Sequence, residues 1–137
     1  MKKFSVIVLL IMLSLFFGCQ SSNERLAQKM IEKYSDPHNY VALSGVVVKS
    51  NNRHLEVKCE ELKMYIHYED DICEYYIHSD SSFDLKEGDI IEFVTVPFHF
   101  YNGHKLPIVE LRSNGETLLS LECGKDNLIE WVNINFA

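Results

Sequence analysis

Basic residues are scarce in this chain. Its 137 residues carry 13 lysines and arginines against 20 aspartates and glutamates, a formal net charge of −7. Nucleic-acid affinity comes from basic side chains that displace counterions from phosphates, so this balance argues against DNA or RNA as a partner. It is equally unsuited to lying flat on anionic lipid, which attracts polybasic segments. Catalytic signatures are missing too. There is no Gly-x-Ser-x-Gly, no phosphate-binding glycine loop and no His-Glu-x-x-His. The acidic residues fall mostly at strand exits and turns, and the expectation is a protein without enzymatic activity. Structural zinc spacings such as Cys-x2-Cys or His-x3-His are also absent. His99 and His104 flank one turn, and His67 and Cys73 flank another, but two-ligand fragments do not make a site. Glu69-Asp70-Asp71 lacks the alternating ligand spacing of a calcium loop. No metal and no cofactor is expected. A long apolar run is lacking as well: residues 4–17 form an uncharged stretch of 14, short of the ~20 residues that a membrane-spanning helix needs.

That short stretch is nevertheless the most specific signal present. Lys2 and Lys3 form a positive N-terminal region, and 14 apolar residues suit the ~7–15-residue core of a signal peptide. Gly18 is small, as a cleavage site requires, and Cys19 follows it. The run Leu15-Phe16-Phe17-Gly18-Cys19 resembles the lipobox of bacterial lipoproteins, with Leu15 one place early and Phe17 where a small residue is usual. The resemblance implies cleavage before Cys19 and a diacylglycerol on its thiol. It also implies residence at the extracytoplasmic face of the cell membrane. Two acyl chains would supply the two signals that stable anchoring needs. Removing residues 1–18 leaves 119 residues, enough for one domain. With Lys2 and Lys3 gone, 11 basic residues face 20 acidic ones, a net charge of −9. The anchor, rather than the domain, is then expected to make the membrane contact.

Lipidation of Cys19 leaves Cys59, Cys73 and Cys123, which can form at most one disulfide. Export permits one. Sequence leaves all three pairings open, along with the alternative that all three are small buried hydrophobes.

Beyond a polar spacer, Ser21 and Glu24 have the spacing of a capping box. Leu26, Ala27, Met30, Ile31 and Tyr34 recur at helical intervals and predict an amphipathic helix over 23–35, stopped by Asp36-Pro37. From Tyr40 the period changes to two. Strands are predicted over 41–49, 54–67 with a break near Glu60-Glu61, 72–78, 90–101 and 104–112, with a short one over 116–121. Gly45 is expected to mark a bulge or bend, and Pro97 a bulge or an edge. Asn102-Gly103 and Asn114-Gly115 signal tight hairpins, whose central residues take positive φ. Leu128, Ile129, Trp131, Val132 and Ile134 predict a C-terminal helix over 127–135 that buries Trp131.

The predicted fold class is mainly β, α+β by content. The bent first strand with its central glycine resembles a small Greek-key barrel, as does the run Leu85-Lys86-Glu87-Gly88-Asp89-Ile90-Ile91-Glu92-Phe93. Together they resemble an OB-fold over roughly 40–112. The expectation is a five- to six-stranded OB-like barrel at 40–137, preceded by the spacer and helix at 19–39. The whole pattern also resembles small bacterial lipoproteins that carry no transferable activity. In OB-folds ligands lie across strands 2 and 3 between two loops, here 50–53 and 101–104. Tyr65, Tyr75, His99, Tyr101, Asn102 and His104 are therefore the candidate ligand-binding residues. Tyr65 and Tyr75 read either as a binding face or as barrel cover with wet hydroxyls. The aromatics by the hairpin read either as a stacking platform or as cross-strand pairs. The functional expectation is a lipid-anchored module for a protein, peptide or glycan. The alternatives are an accessory envelope protein docking through its N-terminal helix, and a metal or redox sensor.

Overall fold

The computed structural model describes residues 22–61, 72–79, 82–97 and 105–136. Helix α1 spans Ser22–Ser35 and buries Ala27, Met30 and Tyr34, the predicted stripe. It stops where expected. Asp36 is extended before Pro37, and its carboxylate accepts the His38 backbone N–H at 3.0 Å, capping a short 3-10 turn. The last carbonyls of α1 are satisfied by side chains that follow it. Asn39 Nδ2 donates to the Lys33 carbonyl at 3.0 Å, and the Tyr40 hydroxyl donates to that of Tyr34 at 2.6 Å. Ser21, the predicted capping residue, lies outside the described residues.

Among the described residues six strands follow: β1 (Val41–Asn51), β2 (His54–Lys58), β3 (Ile72–Tyr76), β4 (Ile90–Thr95), β5 (Lys105–Ser113) and β6 (Glu116–Leu119). Helix α2, Leu121–Phe136, ends the described chain. The sheet runs β3-β2-β1-β4-β5-β6 and is antiparallel except for one further pairing, a parallel contact of β3 with β5. The ladder therefore runs from β1 through β2, β3, β5 and β4 back to β1. β1 makes this possible by serving two partners: residues 41–46 pair with β4 and residues 46–51 with β2. The change of partner falls beside Gly45, where a Cβ would lie 2.5 Å from Val57 Cγ1 and 2.9 Å from the Lys58 carbonyl. Gly45 thus lets β2 cross close to β1. The register shift itself lies between Val47 and Lys49, a little beyond the glycine. A second shift falls at Val94/Thr95, where β4 ends before Pro97. There the buried Thr95 Oγ1 donates to the Pro107 carbonyl at 2.8 Å.

Strand alternation builds two cores. Inside the sheet Leu43, Val47, Leu55, Val57, Tyr75, Phe93 and Leu111 form the larger one with their neighbours. Outside it Val96 and Val109 meet Met30 and Tyr34 of α1 and Leu128 and Val132 of α2. Cys59 and Cys73 belong to the inner core at 2% exposure each, whereas Cys123 is exposed on α2, so burial of all three cysteines is corrected to two.

Several boundaries differ from the sequence reading. β2 ends at Lys58, close to the break expected near Glu60-Glu61, and residues 62–71, which hold the rest of the predicted strand, lie outside the described ones. β4 ends at Thr95, and the predicted Asn102-Gly103 hairpin falls outside them. α2 starts six residues earlier than predicted. Ser120 accepts the Cys123 N–H at its Oγ (3.3 Å) and the Gly124 N–H at its carbonyl (2.9 Å), so it starts the helix despite Gly124. The Asn114-Gly115 turn matches its prediction, with φ of 54° and 75°.

Candidate ligand-binding site

Of the residues singled out from the sequence, Cys19, Tyr65, His99, Tyr101, Asn102 and His104 lie outside the described residues. Tyr75 is fully buried. Its ring packs edge-to-face on Phe93 at 5.0 Å and 68°, so it belongs to the inner core rather than to an open stacking face. The N-terminal helix presents no free apolar stripe either, because Met30 and Tyr34 are buried against α2 and the sheet at 1% and 4% exposure. Among the described residues no three His, Cys, Asp or Glu side chains are placed to share a metal ion.

Among the described residues, the surface depressions include three of similar size. One of about 260 Å³ lies over β1, β2 and β3 and is lined by Lys49, Asn51, His54, Glu56 and Glu74. Another, about 310 Å³, lies over β1, β4 and β5 and is lined by Glu61, Glu92, Glu110 and Arg112. The aromatic members of these two, Tyr75 and Phe93, are core side chains engaged with each other. The third, about 210 Å³, differs in chemistry. It lies where the β1–β2 turn and the end of β3 meet α2, lined by Arg53, Tyr76, His78, Ser79, Asn127, Glu130, Trp131 and Ile134.

The local sequence explains why these residues meet. Asn52, at φ 57°, turns β1 into β2 and places Arg53 at the tip. The Ile77 N–H donates to the Arg53 carbonyl at 2.8 Å, which extends the β2–β3 ladder one residue past β3. Ile77 points into the core at 0% exposure, so its neighbours Tyr76 and His78 point outward by strand alternation. On the other wall, Asn127, Glu130, Trp131 and Ile134 have the i, i+3, i+4, i+7 spacing of one helix face. Gly124, Leu128 and Val132 hold the neighbouring face of α2 against the body of the protein.

The rings form a continuous row. His54 and Tyr76 are 4.7 Å apart between centroids, Tyr76 and His78 4.5 Å, His78 and Trp131 4.5 Å, and Trp131 and Phe136 5.5 Å. Trp131 is half-buried rather than fully buried as the sequence suggested, and Ile134 beside it is 73% exposed. Burial, and then the positive charge of Arg53, push His78 down to about 4. The imidazole is therefore neutral near pH 7 and offers one ring nitrogen as donor and one as acceptor. The cleft thus combines an aromatic wall, a neutral imidazole, a guanidinium, a carboxylate, an amide and a hydroxyl. That combination suits binding through stacking and several hydrogen bonds.

Sequence reasoning missed this site because its halves lie some 50 residues apart. The helical spacing of Asn127, Glu130, Trp131 and Ile134 was the available signal: it places three polar or exposed residues around the chain's single tryptophan. No protein-family model matches the chain, and no curated protein matches it in sequence.

Proposed function

We propose that the protein is an extracytoplasmic lipoprotein, tethered through a diacylglyceryl thiol at Cys19, whose domain binds a glycan without transforming it. Trp131 and its neighbouring rings form the platform. The single observation that carries this reading is the row of rings Tyr76, His78 and Trp131 beside Ser79, Asn127 and Glu130 in one cleft. A sugar ring has an apolar C–H face that suits an aromatic ring, and hydroxyls around its rim that suit short polar side chains. At about 210 Å³ the cleft is smaller than the ~300–1,000 Å³ usual for drug-sized ligands. One pyranose seated at a time fits that size better than an extended peptide.

The domain on which the cleft sits is read as an OB-fold. A ladder that passes β1, β2, β3, β5 and β4 and returns to β1, with β3 and β5 parallel, supports a five-stranded Greek-key barrel of this type. β6 and the two helices are additions to it. The alternative of docking through the N-terminal helix has less support, because Met30 and Tyr34 are covered from within the molecule.

A glycan array probed with the full chain in a polyoxyethylene detergent, which carries no sugar headgroup, tests the reading. The expected result is binding to at least one sugar class, weakened about 10- to 100-fold by Trp131→Ala, as for a tryptophan hot spot. Binding that survives Trp131→Ala in a folded protein, or capture of peptides alone, would contradict it.

A further inference from the structure

Arg53 is the part of the cleft that a neutral sugar leaves unexplained. It is half-buried at the β1–β2 turn, on a chain whose net charge is −7. Among the described residues no carboxylate forms an ion pair with it. Glu130 lines the same cleft but sits exposed on its helical rim. The charge of Arg53 acts on His78, which lines the same cleft, to disfavour its protonation. A partly desolvated guanidinium in a cleft it shares with a neutral imidazole and aromatic rings is a poor arrangement in isolation, since a desolvated cation is stabilised by a hydrogen-bonded anion. Its planar fork matches a carboxylate through two parallel N–H···O bonds.

We infer that the cleft selects a sugar bearing a carboxylate, such as a uronic acid, whose ring stacks on Trp131 and whose acid group is held by the guanidinium of Arg53. This rests on the glycan-binding reading above and names the ligand's chemical class. The acidic surface elsewhere disfavours long polyanions, so the selection is for a single acid group seated in the cleft rather than for negative charge in general.

The test compares a glucuronic-acid oligosaccharide with its carboxyl-reduced counterpart, which differs only in the acid group, by calorimetry on the full chain in the same detergent. The acidic sugar is expected to bind at least 10-fold more tightly, with an advantage that shrinks in high salt. Arg53→Gln should bring its affinity down to that of the neutral sugar bound by the same variant. Arg53→Lys, which keeps the charge without the fork, should retain part of the preference. Trp131→Ala should weaken both ligands alike. Equal binding of the two sugars by the unaltered protein overturns the inference and leaves glycan binding standing. A preference that persists in Arg53→Gln overturns it too. Binding of neither sugar overturns the inference, and the glycan array then decides the glycan-binding reading on its own.

Discussion

His78 shows how one side chain can couple the cleft to the stability of the fold. Its ordinary value is 6.5, and in the folded protein burial and Arg53 lower it to about 4. Between these values the unfolded chain takes up a proton that the folded protein refuses, so stability falls as pH drops from about 6.5 towards about 4. Above 6.5 neither state is protonated there and the contribution is flat. The full loss is at most about 3.5 kcal/mol, since each tenfold difference in proton affinity between the two states is worth ~1.4 kcal/mol. Urea denaturation of the unaltered protein and of His78→Gln, at pH 7.5 and pH 4.5, measures it. The unaltered protein is expected to lose more stability on acidification than the variant, and equal losses would show that His78 does not titrate in this way. Legibility was lowest at this scale. Tyr75 and Tyr76 are adjacent and identical, yet one fills the core and the other lines the cleft. Only the register of β3, where Val57 faces Cys73 and Leu55 faces Tyr75, decides which is which.

Elements were more legible where local chemistry alone sets them. The α1 stripe, its stop at Asp36-Pro37, the Asn114-Gly115 turn and the strand starting at Ile90 all follow from patterns within a few residues. The start of α2 does not, because Gly124 reads as a breaker and its helical state depends on a distant partner. A Cβ at residue 124 would lie 1.9 Å from the Val109 carbonyl oxygen and 2.6 Å from its carbon. Glycine is what allows α2 to lie directly on β5, and this approach also sets the position of Trp131 two turns later. Alanine is the better helix former by ~1 kcal/mol. Even so, Gly124→Ala is expected to destabilise the protein, because backbone cannot move aside as a side chain can. A net loss of about 2 kcal/mol is expected, within the ~1–3 kcal/mol range of overpacked sites. A variant as stable as the parent in urea denaturation would show that α2 does not depend on this contact.

At the scale of the whole molecule, the proposed loss of residues 1–18 would leave a charge of −9, which disfavours binding of the domain itself to anionic lipid. On the proposed reading only the thiol of Cys19 holds it at the membrane, three residues before α1 begins. Cys19→Ser is therefore expected to abolish both fatty-acid labelling and membrane association in cells. A membrane-bound, unlabelled Cys19→Ser protein would show that another segment makes the attachment. The strand count and the mainly antiparallel character of the sheet could be read from turn spacing and alternation. The parallel β3–β5 contact could not, because it joins segments about 30 residues apart that share no local signal. The cleft has the same origin, since long-range closure brings the Arg53 turn and the end of β3 to α2.

The central claim is that sugar binds on Trp131, and the chain provides its own probe because it contains one tryptophan. Titrating the full chain with the glucuronic-acid oligosaccharide while recording tryptophan emission tests the claim most directly. A saturable change in emission, with the same midpoint as the calorimetric isotherm, is the expected result. Calorimetric binding with unchanged emission would place the ligand elsewhere on the molecule and contradict the account.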